Sequence, residues 1–243
     1  MALNFSIANC VAWAPGLETK QDWQLWQSGE KSLADELTLP KLASIPAMQR
    51  RRLSPFAKVA LHCALEASGD HQADIPLVFS SRHGDLHRTT SLIENIAAAE
   101  DLSPTQFGLS VHNAAAGLFS IFTGNRAPIS AVSGGQTSFM QGFLDSVAKM
   151  HANKLPRILY VFCDLQVPEC YRPYVSDDDD IAIGLLLEPA KDDSHSFNLE
   201  YKQSEGQALS DCQALSFMDF ILSSNHHMQA NVHQQNWHVS RLN

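Results

Sequence analysis

Between Ser133 and Ser138 the chain reads SGGQTS, a glycine turn between a short apolar strand, APISAVS, and the start of a helix. Turns of this kind display a nucleophile in many α/β enzymes, because the N-terminus of the following helix lowers the pKa of a thiol placed there. The side chain on show here is Gln136. Its amide has no titratable proton and negligible nucleophilicity, so nucleophilic attack from this position is chemically excluded. The segment therefore sets a question: what does such a turn do once the reactive group is gone?

Other residues that could do chemistry are weaker candidates. His83 and His87 in RHGDLHR are four apart, a spacing that puts two metal ligands on one helix face, but Gly84 and the loop setting argue against a metal. Asp177 to Asp180 lack the spacing of an EF-hand loop and read as a solvated turn. His226, His227, His233 and His238 sit in a polar tail without a ligand pattern. Cys10, Cys63, Cys163, Cys170 and Cys212 are scattered with no CxxC pair, as expected of small buried hydrophobes in a reducing compartment. No metal and no cofactor are expected.

The 243 residues suffice for one large domain, or a domain with a tail, and a 44% hydrophobic content is ordinary for a globular chain. A net charge of -9 argues against general nucleic-acid or membrane-surface binding. Arg50, Arg51 and Arg52 are a local exception. The N-terminus does not read as a signal peptide, and no stretch is long and apolar enough to span a bilayer, so no membrane insertion and a cytoplasmic location are expected.

The elements that must hold Gln136 in place alternate. FSIANCVAW reads as a strand and KQDWQLWQ as a short helix with Trp23 and Trp26 on one face. SPFAKVALHCALEASG has a Ser cap, a Pro in the first turn, apolar spacings of three and four and a closing Gly, and predicts a helix. IPLVFSS is a buried strand that empties into RHGDLHR and a helix. AAAGLFSIFTG is a small-residue helix, APISAVS a strand and GGQTSFMQGFLDSVAKMHAN a helix. RILYVFCDL and IAIGLLL are further strands. Alternating strands and helices mean an α/β layered domain with a mixed sheet flanked by helices. After Pro189 the composition turns polar, so residues 1–189 read as the domain and residues 190–243 as a short appendage, with one strand over Phe197–Tyr201 and one helix over Ala214–Leu222.

The order of these pieces, from Phe5 to Pro189, resembles the N-terminal half of the β-ketoacyl synthases, condensing enzymes of the thiolase fold. From Asn113 on, NAAAGLFSIFTGNRAPISAVSGGQTS follows that family's N..AG..S..YGLRGP...I.TACTS without a gap, and SPTQF precedes it as the family's SP..F does, with one residue fewer between Phe107 and Asn113. Asn113, Ala116, Gly117, Gly124, Arg126, Pro128, Thr137 and Ser138 match. In this register Gln136 stands on the family's nucleophilic cysteine. Glutamine at that position is itself a signature of the family's chain-length factors and of decarboxylating synthase-like domains. The two catalytic histidines of the family lie in HGTGT- and GHxxG-like motifs, and neither occurs here. The chain is similar to the short chain-length-factor-type subunits of aryl polyene pathways, in which a full-length ketosynthase supplies the chemistry.

The resemblance implies a thiolase-like fold, N-terminal half only, and a non-catalytic subunit of a β-ketoacyl-acyl-carrier-protein synthase complex. It would form a heterodimer with a ketosynthase and shape the tunnel in which a carrier-bound fatty or polyene chain grows, as in type II polyketide systems. Phe107, Leu109 and Val111 are the candidates for setting tunnel depth. His112, Asn113 and Phe139 are placed at the tunnel or interface, Asn113 alternatively as a structural cap. Ile129, Ser130, Ala131 and Val132 would pair across the two-fold, and an edge strand this apolar needs a partner on physical grounds too. Arg50, Arg51 and Arg52 precede the long helix where the family meets the acidic acyl carrier protein; docking and an ordinary solvated turn both fit. In a full thiolase fold the second half covers the central helices, and here only residues 190–243 or a partner could do so. Two other readings stand beside this one: a decarboxylase or acyltransferase acting alone through an unrecognised base, and a homodimeric binder of acyl groups or carrier protein.

Overall fold

A computed structural model describes residues 2–175, 179–191, 196–203, 212–232 and 234–242. Asp177, Asp178 and His233 lie outside the described residues. In chain order the elements are β1 (Ala2–Trp13), α1 (Lys20–Gln27), α2 (Ala47–Arg50), α3 (Pro55–Ser68), β2 (Leu77–Ser80), α4 (Leu86–Ala97), α5 (Pro104–Gly108), α6 (Ala114–Thr123) and β3 (Ile129–Val132). There follow α7 (Ser138–Ala152), β4 (Ile158–Asp164), β5 (Ile181–Pro189), β6 (Ser196–Gln203), α8 (Gln213–Leu222), β7 (His227–Val232) and β8 (Gln235–Arg241). The strands form one sheet in the order β3-β2-β4-β5-β1-β6-β8-β7. Pairings β3–β2 and β2–β4 are parallel, and the rest are antiparallel. The mixed, layered α/β architecture is the expected one.

Both faces of the central strands are buried, which is why RILYVFCDL reads as a nearly unbroken apolar run. Along β4, Ile158, Tyr160 and Phe162 join the core formed with Phe139 and Phe143 of α7. The alternate residues Leu159, Val161 and Cys163 join the opposite core, with Val59, Leu61 and Cys63 of α3. Helix α3 begins as its sequence predicts: Ser54 Oγ accepts from the Ala57 N–H at 3.1 Å and Pro55 takes the first position. Such a cap contributes about 1 kcal/mol.

Helix α7 lies close on the sheet. A Cβ built on Gly142 would stand 2.5 Å from Ser80 Cβ and 2.9 Å from the Tyr160 ring, so no larger residue fits without displacement. Two hydrogen bonds pin its first turn: Ser80 Oγ donates to the Ser138 carbonyl at 2.6 Å, and the Tyr160 hydroxyl to the Phe139 carbonyl at 2.6 Å.

The segment after Pro189 is woven into this sheet. Among the described residues it carries three strands and a helix where one strand and one helix are expected. β6 pairs with β1, stacking Phe197 on Phe5 at 5.5 Å, and β8 and β7 extend the sheet from there. Helix α8 packs Phe217 against Phe139 and Phe143, each at 5.3 Å, and so covers one face of α7. The β7–β8 hairpin escapes a composition-based reading because His, Gln and Asn fill its outward positions. Its inward positions, Met228, Ala230, Val232, Trp237 and Val239, alternate and are buried.

Candidate functional site

Gln136 stands where β3 gives way to α7, in a single 3₁₀ turn, Gly135–Thr137. Gly135 makes the corner at φ +61°, in the left-handed region. Hydroxyls stitch the turn together: Ser138 Oγ accepts from the Gly134 N–H at 3.0 Å and donates to the Gly135 carbonyl at 2.7 Å, while Thr137 Oγ1 donates to the Gly134 carbonyl at 2.8 Å. This explains why Thr and Ser follow Gln136: they fix the backbone of the turn whatever side chain it displays. Gln136 itself is half-buried. It lines a cavity of about 60 Å³ together with His83, Phe139, Phe162, Asp164 and Cys212. On its other side lies an open groove lined by Gln141, Tyr201, Gln203 and Gln235.

Asp164, at the end of β4, organises the loop facing Gln136. It accepts from Ser81 Oγ at 2.7 Å, the Arg82 N–H at 2.9 Å and the His83 N–H at 3.2 Å. Burial pushes its carboxyl up to about 6, against the pull of those donors. His112 buttresses the same loop, its Nε2 lying 2.9 Å from the Ser81 carbonyl and its ring meeting Phe79 edge-on at 5.9 Å. Burial pushes the Cys212 thiol up to about 12, so it offers no thiolate in place of the absent cysteine. Among the described residues no cluster of His, Cys, Asp and Glu could hold a metal. His87 Nε2 lies 2.9 Å from the Gln166 carbonyl.

The interface candidates fall on another surface. β3 is an edge strand with β2 on one side only; Ile129, Ser130 and Val132 are half-buried and Ala131 is exposed. An open hollow beside it is lined by His112, Asn113, Gly117, Ile129, Ser130 and Ala131. The Asn113 side chain caps nothing at the start of α6. Phe107 is 60% exposed and Val111 45%, while Leu109 is half-buried. Ile121 of α6, 72% exposed, joins this class of exposed apolar side chains and was not singled out from sequence, because FSIFTG reads as core. Phe139 is placed apart from these residues, 2% exposed in the aromatic core under α7. Arg50 Nη1 donates to the Leu42 carbonyl at 3.1 Å, Arg51 and Arg52 are exposed, and Arg52 borders a cleft shared with Leu109 and Val111.

Asp164 and Gln213 were also missed. The carboxylate ending an otherwise apolar strand was a readable signal for Asp164. Gln213 carried none, because its partner Met140 is 73 residues away.

The β-ketoacyl synthase N-terminal domain matches over residues 23–240. Among solved structures, a chain of the ketosynthase ApeO in complex with its chain length factor ApeC, from Xenorhabdus doucetiae, is 30% identical at a TM-score of 0.84, covering 98% of this chain and 100% of that one. The ishigamide ketosynthase/chain length factor shares the fold at a TM-score of 0.60 and 15% identity, over 83% of this chain and 68% of that chain. So does the ketosynthase from module 1 of the bacillaene synthase of Bacillus amyloliquefaciens FZB42, at 0.60 and 11% identity, over 85% of this chain and 47% of that chain. Among curated proteins, nothing matches the sequence.

Proposed function

The chain belongs to the β-ketoacyl synthase N-terminal-domain family, and from that premise we propose that it is a non-catalytic subunit of the chain-length-factor kind. It pairs with a full-length ketosynthase, closes the partner's acyl tunnel and limits the length of the carrier-bound chain grown there. The observation that carries this reading is Gln136: the turn, the helix and the loop that would serve a nucleophile are all built, and the residue they display cannot attack. Full-length similarity to a chain of a ketosynthase–chain length factor complex supports the same role.

The surface argues for the pairing. Among the described residues β3 is a short parallel edge strand with one neighbour, bordered by the hollow at His112, Asn113 and Gly117, the kind of edge that another chain covers; Phe107, Val111 and Ile121 add exposed apolar side chains to the surface. Phe107, Leu109 and Val111 would then reach the partner's tunnel, and the hollow at His112 and Asn113 would lie against it. Arg51 and Arg52, exposed on a chain of net charge -9, offer a docking point for an acidic acyl carrier protein. Five free cysteines suit the cytoplasm. No helix among the described residues is long and apolar enough to cross a membrane.

Affinity purification of the tagged chain from its native cell tests the pairing. The expected result is a full-length ketosynthase recovered in equimolar amount. A homodimer with no ketosynthase sinks the proposal.

A further inference from the structure

The first turn of α7 has no capping side chain from its own flank. Gln213, the first residue of α8, supplies the acceptor instead, its Oε1 receiving the Met140 N–H at 3.2 Å. A residue of the C-terminal segment thus occupies the end of the helix where a synthase of this family would hold its reacting group. Gln213 is 7% exposed, and its Nε2 is buried without an acceptor among the described residues. A buried amide N–H left in that state costs free energy comparable to a lost hydrogen bond, so something that accepts belongs beside it.

The surroundings define the occupant. Gln213 lines the cavity of about 60 Å³ shared by Gln136 and Asp164. An anion is disfavoured there, because Asp164 is a carboxylate on the same wall. An apolar guest is disfavoured by size, since a benzene-sized ligand needs a cavity of about 150 Å³. A few waters fit the space, and water can both accept from Gln213 and donate towards Asp164 or the Gln136 amide. We infer that the cavity beside Gln136 is a water site built by Gln213, and that α8 thereby bars acyl thioesters from reaching the vacated nucleophile turn through that cavity. This rests on the chain's own side chains and not on the pairing with a ketosynthase. It gives the C-terminal segment a specific task, which is to cap the first turn of α7 beside Gln136.

A crystal structure of the full chain, soaked with octanoyl-pantetheine, tests it. The expected map shows at least one ordered water within hydrogen-bond distance of Gln213 Nε2 and no acyl density at Gln136. A dry cavity, or an acyl chain ending at Gln136, overturns the inference. Amide exchange in solution gives a second readout: Gln213→Met keeps the volume and removes the acceptor, so the Met140 amide should exchange up to about tenfold faster. An unchanged rate there also counts against it.

Discussion

The turn at Gln136 and the edge at β3 are separated by a few residues and are finished in opposite ways. At the turn, Ser138, Thr137, Ser80 and Tyr160 hydrogen-bond the backbone, Gln213 reaches in from α8, and Phe139 sits among aromatic rings. At the edge, β3 has one neighbour among the described residues and borders an open hollow at His112, Asn113 and Gly117, and elsewhere Phe107, Val111 and Ile121 leave apolar side chains in the open. A chain that did chemistry alone would keep its turn accessible and its edge blunted. Here the backbone of the turn is hydrogen-bonded from within while the β3 edge keeps one neighbour among the described residues, the contrast on which the proposed pairing rests.

Mutation can separate the two regions. Phe217→Ala removes the ring that α8 sets against Phe139 and Phe143 and should cost about 3–5 kcal/mol of stability by thermal or denaturant unfolding. Ile121→Lys should leave that stability within about 0.5 kcal/mol and weaken association with the ketosynthase about thirtyfold or more, read by titration calorimetry. Equal effects of the two on unfolding would erase the distinction between a packed turn and an open edge.

Asp164 gives the turn a pH signature. Its carboxyl is raised from the ordinary 3.8 to about 6, so the folded chain holds this proton more tightly than the unfolded one. The stability it contributes is full below 3.8 and is lost as pH rises through 6, a swing of about 3 kcal/mol. Asp164→Asn should flatten that part of the stability–pH curve while leaving association at the β3 edge unchanged; an unaltered curve removes Asp164 from the account. The smallest effect is expected at the arginines. Arg51→Glu with Arg52→Glu should lower carrier-protein affinity several-fold at low salt, and less at high salt, with no change in unfolding. A salt-independent effect would point away from charge docking.

Much of the frame was legible in the sequence, for reasons these residues show. The Ser54 cap, Pro55 and the apolar spacing of α3 announce a helix through local chemistry, and the unbroken apolar run of β4 announces a strand buried on both faces. The gapless block from Asn113 to Ser138 carried Gln136 and β3 together. What stayed hidden depends on contacts between distant segments. Gln213 meets Met140 only once α8 has folded over α7. The β7–β8 hairpin hides its inward alternation behind polar outward residues. Ile121 stayed hidden because periodicity shows that AAAGLFSIFTG has apolar positions and not which of them are buried.

The central claim is that this chain shapes an active site without having one. Its most direct test is condensation of malonyl- and acyl-carrier protein, measured for the ketosynthase alone, for this chain alone, and for the pair with either Gln136 or Gln136→Cys in this chain. The account predicts no turnover by this chain in either form, full turnover by the pair, and a product-length distribution that requires this chain to be present. Turnover of malonyl-carrier protein by the isolated chain would contradict it.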